Sequence, residues 1–239
     1  MIASVIFGRE GSKSIKDKNL LNINGKTIME YPLIALKKSG IINEMYVSTD
    51  SNRIAKIAKK YGSTLIKRPL HLCQDNSQLL DSILHAKDFI KNKNSKVEYL
   101  VINLCNAPNV SSDTIIRAYE KLKNNPQLDS VISVSQYNMF SPERARKLNE
   151  NDELIPYIPF DYFINDISCD RKSHFKTYFA DQGLTIVRLK ALENWESNLL
   201  PFQWMGKRIG YIEQDPGGGD IDHPWQVEAI KYWLNQNPT

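Results

Sequence analysis

Directly after an apolar run, Ile2–Phe7, residues 8–19 read Gly-Arg-Glu-Gly-Ser-Lys-Ser-Ile-Lys-Asp-Lys-Asn. Arg9, Lys13 and Lys18 place cations along one loop. Gly8 and Gly11 let its backbone turn and present N–H groups, and Ser12 adds a hydroxyl donor. That combination suits a polyphosphate. Lys16 reads as the solvated member of the set. The spacing fits neither the GxxxxGK[ST] phosphate loop nor the GxGxxG dinucleotide turn, so those chemistries are set aside. The bland alternative is a basic surface turn.

A second constellation stands near the other end: Gly217, Gly218 and Gly219, then Asp220-Ile221-Asp222-His223-Pro224. In an extended backbone the period of two puts Asp220 and Asp222 on one face and Ile221 on the other. One or two carboxylates plus substrate phosphates are a sufficient set for Mg²⁺. The competing reading is a helix start, with Asp222 as N-cap and Pro224 in the first turn. His223 reads as a surface or capping residue. The three glycines either let the backbone approach a ligand or form a turn.

The elements that must position these groups follow from the hydrophobic pattern. Strand-like runs at Ile2–Phe7, 44–48, 65–66, Tyr99–Leu104 and 130–135 alternate with helical patterns at 28–39, 52–61, 78–91 and 113–124. Alternation of this kind predicts an α/β fold with a mostly parallel sheet covered by helices on both faces. Ser112 and Asp113 are the expected cap of the 113–124 helix, and Asn124-Asn125-Pro126 its stop. From 137 to 179 the alternation is lost: Pro142, Pro156 and Pro159 fall among aromatics, which reads as an insertion. It resumes at 183–189 and 209–212 and closes with a helix over 224–234. In an open sheet of this class ligands bind beyond the carboxyl ends of the strands, where the loop after the first strand lies.

Bulk properties narrow the class. A chain of 239 residues, 41% hydrophobic and 24% charged, fits one soluble α/β domain over 1–239. A formal net charge of +4, spread along the sequence, gives no argument for a nucleic-acid partner. The longest apolar runs fall far short of the ~20 residues that span a bilayer, and the N-terminus reads as a strand rather than a secretory signal. Cys73, Cys105 and Cys169 are odd in number and far apart, so neither a disulfide framework nor a CxxC metal site is expected. A cytoplasmic protein with free thiols is the expectation. Cys105 reads as packing, because no His or acid lies near it in sequence.

The spacing Arg-x-x-Ser-Lys-x-x-x-x-Lys-Asn after the first strand resembles the signature loop of CMP-sialic acid synthetases and related acylneuraminate cytidylyltransferases. Val47-Ser48-Thr49-Asp50, Ile54-Ala55, Tyr61-Gly62, Arg68-Pro69, Asp75 and the pair Asp81 and His85 extend the likeness over most of the first 90 residues. Asp220-Ile221-Asp222 before a helix is similar to the family's terminal metal motif. The resemblance implies a three-layer, GT-A or Rossmann-like nucleotide-binding domain. It also implies CTP as donor, pyrophosphate as leaving group, Mg²⁺ as cofactor, and a homodimer built through 137–179. It further implies that Arg9, Ser12, Lys13, Lys18 and Asn19 hold CTP with Gly11 shaping the loop, and that Lys18 lies beside the α-phosphate. Arg68 and Ser77 would lie near nucleotide or acceptor, and Asp220 and Asp222 would hold the metal.

The acceptor implied by the likeness is an acidic sugar, a nonulosonic or other 2-keto-3-deoxy acid. This sequence departs from the family on that side: the usual Leu-Gln-Pro-Thr-Ser-Pro-Leu-Arg is replaced by Asn103-Leu104-Cys105-Asn106-Ala107-Pro108-Asn109-Val110. Leu104 stands for the Gln and Val110 for the Arg, and losing an Arg fork weakens carboxylate binding. Asp181-Gln182-Gly183 stands where the family shows Asn-Gly. The same fold acting on another sugar acid, a phosphate or a phosphonate is therefore an alternative, as is a nucleotide-binding protein without turnover. His85 is read as either a core histidine bonded to Asp81 or a site residue, and His174 as an insertion residue within reach of an acceptor in a dimer.

Overall fold

The computed structural model describes all residues except 12–13, 164–167, 216–218 and 239. Strand β1 (Ile2–Phe7) is buried along its whole length, because both of its faces are covered. Ile2 and Ile6 face one core cluster, and Ala3, Val5 and Phe7 face the other. A small hairpin, β2 (Asn22–Ile23) and β3 (Lys26–Thr27), follows the basic loop. The chain then alternates through α1 (Glu30–Ser39), β4 (Glu44–Thr49), α2 (Asn52–Lys60), β5 (Thr64–Lys67), α3 (Leu79–Lys93), β6 (Tyr99–Leu104), α4 (Ser112–Asn124) and β7 (Ser130–Gln136). Helix α4 shows why the pattern was readable: Thr114, Ile115, Ala118 and Leu122 form one buried stripe. Its cap is Ser111, whose hydroxyl accepts from the Thr114 N–H, rather than the expected Ser112 and Asp113.

The insertion carries hairpin β8 (Arg146–Leu148) and β9 (Leu154–Pro156) with short 3₁₀ turns. Strand β10 (Tyr178–Arg188) then re-enters the sheet, so the inserted segment ends before Tyr178 rather than at 179. Helix α5 (Leu189–Glu193), β11 (Ile209–Glu213) and α6 (Pro224–Gln236) complete the chain. The central sheet has seven strands in the order β11-β7-β10-β6-β1-β4-β5. The expected mostly parallel sheet is what forms. Its exception is β10, antiparallel to both β6 and β7. The reason is connectivity. Among the described residues no α-helix separates β7 from β10 to carry the chain back to the starting end of the sheet, so the returning strand runs the other way.

Two core clusters lie on opposite faces of the sheet. One joins β1 and β6 to α1, α2 and α4; the other joins them to α3 and α5. A third cluster is separate and decides where the site falls. Ile230, Trp233 and Leu234 of α6 pack on Ile23 of the hairpin, on Ile28 and Tyr31, and on Ile221. Tyr31 donates to the Ile23 carbonyl at 2.7 Å, and Asn24 to the Asn235 side chain at 2.9 Å, so the C-terminal helix is fastened to the segment that follows the basic loop.

Candidate active site

The loop after β1 opens on a close approach. A Cβ added at Gly8 would lie 2.4 Å from the Cys105 sulfur, so only glycine lets the chain leave the sheet there. Beyond it a cleft of about 240 Å³ opens at the carboxyl ends of β1, β5 and β6. Strand β1 sits between β4 and β6, and the chain builds β4 and β5 on one side before crossing to β6 on the other. The cleft therefore lies at a topological switch point, where ligands of open α/β sheets are received.

Arg9, Lys18, Asn19, Arg68 and Ser77 line this cleft together with Leu104 and Asn106. Arg9 reaches across to the Asp75 carboxylate at 2.8 Å and the Cys73 carbonyl at 3.2 Å. Asn19 donates to the Arg9 carbonyl at 2.9 Å, closing the loop on itself. Arg53 of α2 binds both ends of the loop, pairing with Glu10 and with Asp17, while Asp50 accepts from the Glu10 N–H at 3.0 Å. Gly11 lies on the loop with φ +75°. Ser12 and Lys13 fall outside the described residues.

Arg68 is buried. Its guanidinium stacks 5.6 Å from the Phe7 ring centroid and donates to the Ser48 carbonyl at 2.6 Å and hydroxyl at 3.2 Å. Burial pulls its pKa down, against the opposing influence of Cys73, Cys105 and Asp50. Ser77 accepts from the Gln74 N–H and donates to the His71 carbonyl at 2.7 Å, which fixes the turn facing Arg68.

The two constellations meet. Lys18 Nζ lies 2.5 Å from Asp222 Oδ1, an ion pair that spans nearly the whole sequence. Asp220 receives a hydrogen bond from Asn106 Nδ2 at 3.1 Å, and Asn106 also binds the backbone of Ile221 through both its amide and its carbonyl. Ile221 is fully buried, so the period-of-two geometry expected of this triplet turns its apolar member into the third cluster. Helix α6 is capped by His223, not by Asp222. Gln226 accepts from the Asp222 N–H at 2.8 Å and the His223 N–H at 2.7 Å, and donates to the Asp220 carbonyl at 2.6 Å.

Burial, and then the charge of Asp222, raise the pKa of Asp220 above the usual carboxylate value, against the hydrogen bond from Asn106 and the charge of Lys18. Two acids held together against a single ammonium form a set that a hard divalent cation completes, so these donors fit Mg²⁺. Among the described residues no third His, Cys, Asp or Glu joins them. The remaining positions for a cation would fall to phosphate oxygens and water.

Asn106 and Gln226 were not singled out as site residues in the sequence. The signal for Gln226 was the capping-box spacing after His223. For Asn106 it was only a polar residue just past a strand end. Val110 is fully buried in the core beneath α4 and does not line the cleft, whereas Leu104 does. Cys105 is buried, and that burial pushes its thiol up to about 12, so it packs rather than reacts. The Nδ1 of His85 is buried with no hydrogen-bond partner among the described residues, so that nitrogen does not bind Asp81. His174 bonds to the Ser168 carbonyl within the insertion.

Comparison with known proteins accords with this geometry. The chain is 35% identical over 137 residues to the post-translational flagellin modification protein B of Campylobacter coli, covering 55% of this chain and 57% of that one. It is 28% identical over 151 residues to the pseudaminic acid cytidylyltransferase of Campylobacter jejuni, covering 63% and 64%. These matches span less than two thirds of either relative. The N-acylneuraminate cytidylyltransferase B of Danio rerio is 26% identical over 94% of this chain and 50% of its own length. Among solved structures, CMP:2-keto-3-deoxy-manno-octonic acid synthetase complexed with CTP superposes with a TM-score of 0.68 at 18% identity over 98% of each chain. The 4-diphosphocytidyl-2C-methyl-D-erythritol synthase of Anaerococcus prevotii does so with a TM-score of 0.62 at 12% identity over 98% of each. These two share the fold. A cytidylyltransferase family profile covers residues 3–155, the segment that holds the basic loop, the buried Arg68 and Asn106, and the chain accordingly belongs to the cytidylyltransferase family.

Proposed function

We propose that the protein transfers CMP from CTP to an acidic sugar, a nonulosonic or other 2-keto-3-deoxy acid, with release of pyrophosphate and dependence on Mg²⁺. The observation that carries this reading is the ion pair between Asp222 and Lys18, a residue of the cleft wall, which sets the paired acids against the basic loop. Arg9, Lys13 and Lys18 would neutralise the triphosphate, with Lys18 beside the α-phosphate, and Gly11, Ser12 and Asn19 would shape and line the cradle. Arg68 and Ser77 also line the cleft, where the nucleoside or the acceptor would lie. Asp220 and Asp222 would hold Mg²⁺, whose charge, when bound, would offset that of the phosphates.

Attack of the acceptor hydroxyl in line with the departing pyrophosphate needs orientation and charge stabilisation more than a strong base. Lys18 is suited to this: its ammonium is mostly shielded from solvent and needs only to turn from Asp222 toward a phosphate. Relatives named for pseudaminic and N-acylneuraminic acids support an acidic sugar. Leu104 in the cleft supports an acceptor contacted there through apolar atoms, the feature that keeps other acceptors of this fold in view.

A homodimer through residues 137–177 belongs to the same proposal. Phe140, Leu148, Leu154, Tyr157, Phe160 and Tyr162 of that segment are all exposed, an apolar concentration of the kind that marks protein interfaces. No helix of the described residues is long and apolar enough to cross a membrane, which is consistent with a role in the cytoplasm.

The test is pyrophosphate release with each of the four nucleoside triphosphates and a panel of acidic sugars, with and without Mg²⁺. Release with CTP and a 2-keto-3-deoxy acid, lost on chelation, is the expected result. Turnover with another triphosphate and none with CTP would overturn the donor assignment.

A further inference from the structure

An acidic residue that plays no part in lining the cleft is bonded into the loop that leads away from it. Asp181 is 1% exposed at the irregular point of β10, where the pairing with β7 shifts between Ala180 and Thr185. Among the described residues no Lys or Arg pairs with it. Its oxygens instead take hydrogen bonds from four donors: the Ser133 hydroxyl, the Gly183 N–H at 3.0 Å, the Ser135 hydroxyl at 3.0 Å and Gln214 Nε2 at 2.8 Å. Burial raises its pKa while those donors oppose the rise. A buried acid without a cation is costly to keep, and an apolar residue could fill a sheet position instead.

Its partners connect it to the site. Gln214 Nε2 donates both to Asp181 and to the Asn109 carbonyl, at 2.8 Å each, and Asn109 Nδ2 donates to the Asp181 carbonyl at 3.3 Å. Three segments are thus closed into a triangle: β10, the loop after β6, and the residue after β11. The last two lead to Asn106 and Asp220, which bond to each other at 3.1 Å. The chain leaves this triangle at Gln214 and comes back to it, since an added Cβ at Gly219 would have the Asp181 carbonyl as its nearest neighbour, at 3.9 Å.

We propose that Asp181 is a positioning residue: its carboxylate, through Gln214 and Asn109, sets the relative height of Asn106 and Asp220 and so the geometry of the cation site. The inference rests on the reading of Asp220 and Asp222 as cation ligands. Asp181→Asn keeps the shape but sets an N–H₂ against an N–H donor in either orientation, Gly183 N–H on one side or Gln214 Nε2 on the other, and so breaks one anchor of the network.

The experiment titrates Mn²⁺ into the protein with CTP present, following free Mn²⁺ by electron paramagnetic resonance and counting only the binding in excess of a CTP-alone titration, and measures amide hydrogen exchange over residues 219–223 without metal. Asp181→Asn should raise the Mn²⁺ midpoint roughly tenfold, as loss of a supporting hydrogen bond behind a ligand does. Ser135→Ala, which removes one donor and leaves the rest, should raise it by a smaller factor and serves alone if the first variant does not fold. Val187→Ala, a core cavity in the same strand, should lower Tm without moving the midpoint. Faster exchange at 219–223 in the Asp181 and Ser135 variants, and not in Val187→Ala, completes the expected result. A midpoint unmoved in the Asp181 and Ser135 variants, or moved equally by Val187→Ala, would overturn the proposal. If wild type binds no Mn²⁺, the reading of the paired acids fails, while the exchange pattern still reports whether Asp181 orders them.

Discussion

The cleft and the insertion handle their side chains in opposite ways. Around the cleft, charged and polar groups meet partners from remote parts of the chain: Lys18 with Asp222, Arg9 with Asp75, Asn106 with Asp220. On the insertion, Leu154 and Tyr162 are 71% and 77% exposed, and hairpin β8–β9 packs mainly on itself. Under the proposed function, a nucleotide and its metal would complete the first arrangement by exchanging ion pairs for phosphate and metal contacts. The second is what another apolar surface would complete in the proposed dimer. One chain thus carries a region whose polar side chains meet partners distant in sequence, beside one that leaves large apolar side chains exposed.

The largest effect should separate the two regions. Asp222→Asn is expected to abolish turnover, a loss on the order of 10³-fold or more, while the Tm stays within a few degrees and the solution mass is unchanged. Near-normal pyrophosphate release would return this acid to a purely structural role. Arg9→Ala should come next, lowering kcat/KM for CTP by about a hundredfold through loss of a phosphate-facing cation. Equal kinetics in the variant and the parent would show that Arg9 serves only to hold Asp75.

The converse substitution is on the insertion. Leu154→Asp together with Tyr162→Asp should shift sedimentation from dimer to monomer at micromolar concentration, at a cost to association of a few kcal/mol. A parent already monomeric at that concentration would remove the interface.

The smallest effect concerns the scaffold behind the cleft. Burial alone would raise the Glu30 carboxyl, but the hydrogen bonds from Thr27 and Tyr61 outweigh it and hold the pKa below the usual value. A depressed carboxyl contributes stability above its unfolded pKa and loses it as the pH falls through the folded one. Glu30→Gln should therefore lower Tm at pH 7, and the two melting curves should converge as the pH drops below the ordinary carboxylate range. A gap constant with pH would refute the assignment.

Much of this architecture was legible in advance because the helices and strands of the first 135 residues have unmixed periodicities, as the buried stripe of α4 shows. The basic loop was legible for a local reason: glycine, serine and four cations within a dozen residues have few other uses. The antiparallel course of β10 was less visible, since residues 178–182 are polar and aromatic and their pairing depends on β7. Asn106 was missed because its amide looks like any loop polar group until Ile221 is placed against it.

Sequence by itself determined the alternation of strands and helices, the cation-rich turn after β1 and the spacing of Asp220 and Asp222, all of which are written in residues within one or two turns of each other. Only the tertiary structure decided that the acids stand against the turn and the cleft wall, Asp222 on Lys18 and Asp220 on Asn106. That outcome depends on Ile230, Trp233 and Leu234 burying themselves on Ile23, Ile28 and Tyr31, a contact between chain ends. It is driven by non-directional apolar burial, which no local spacing encodes.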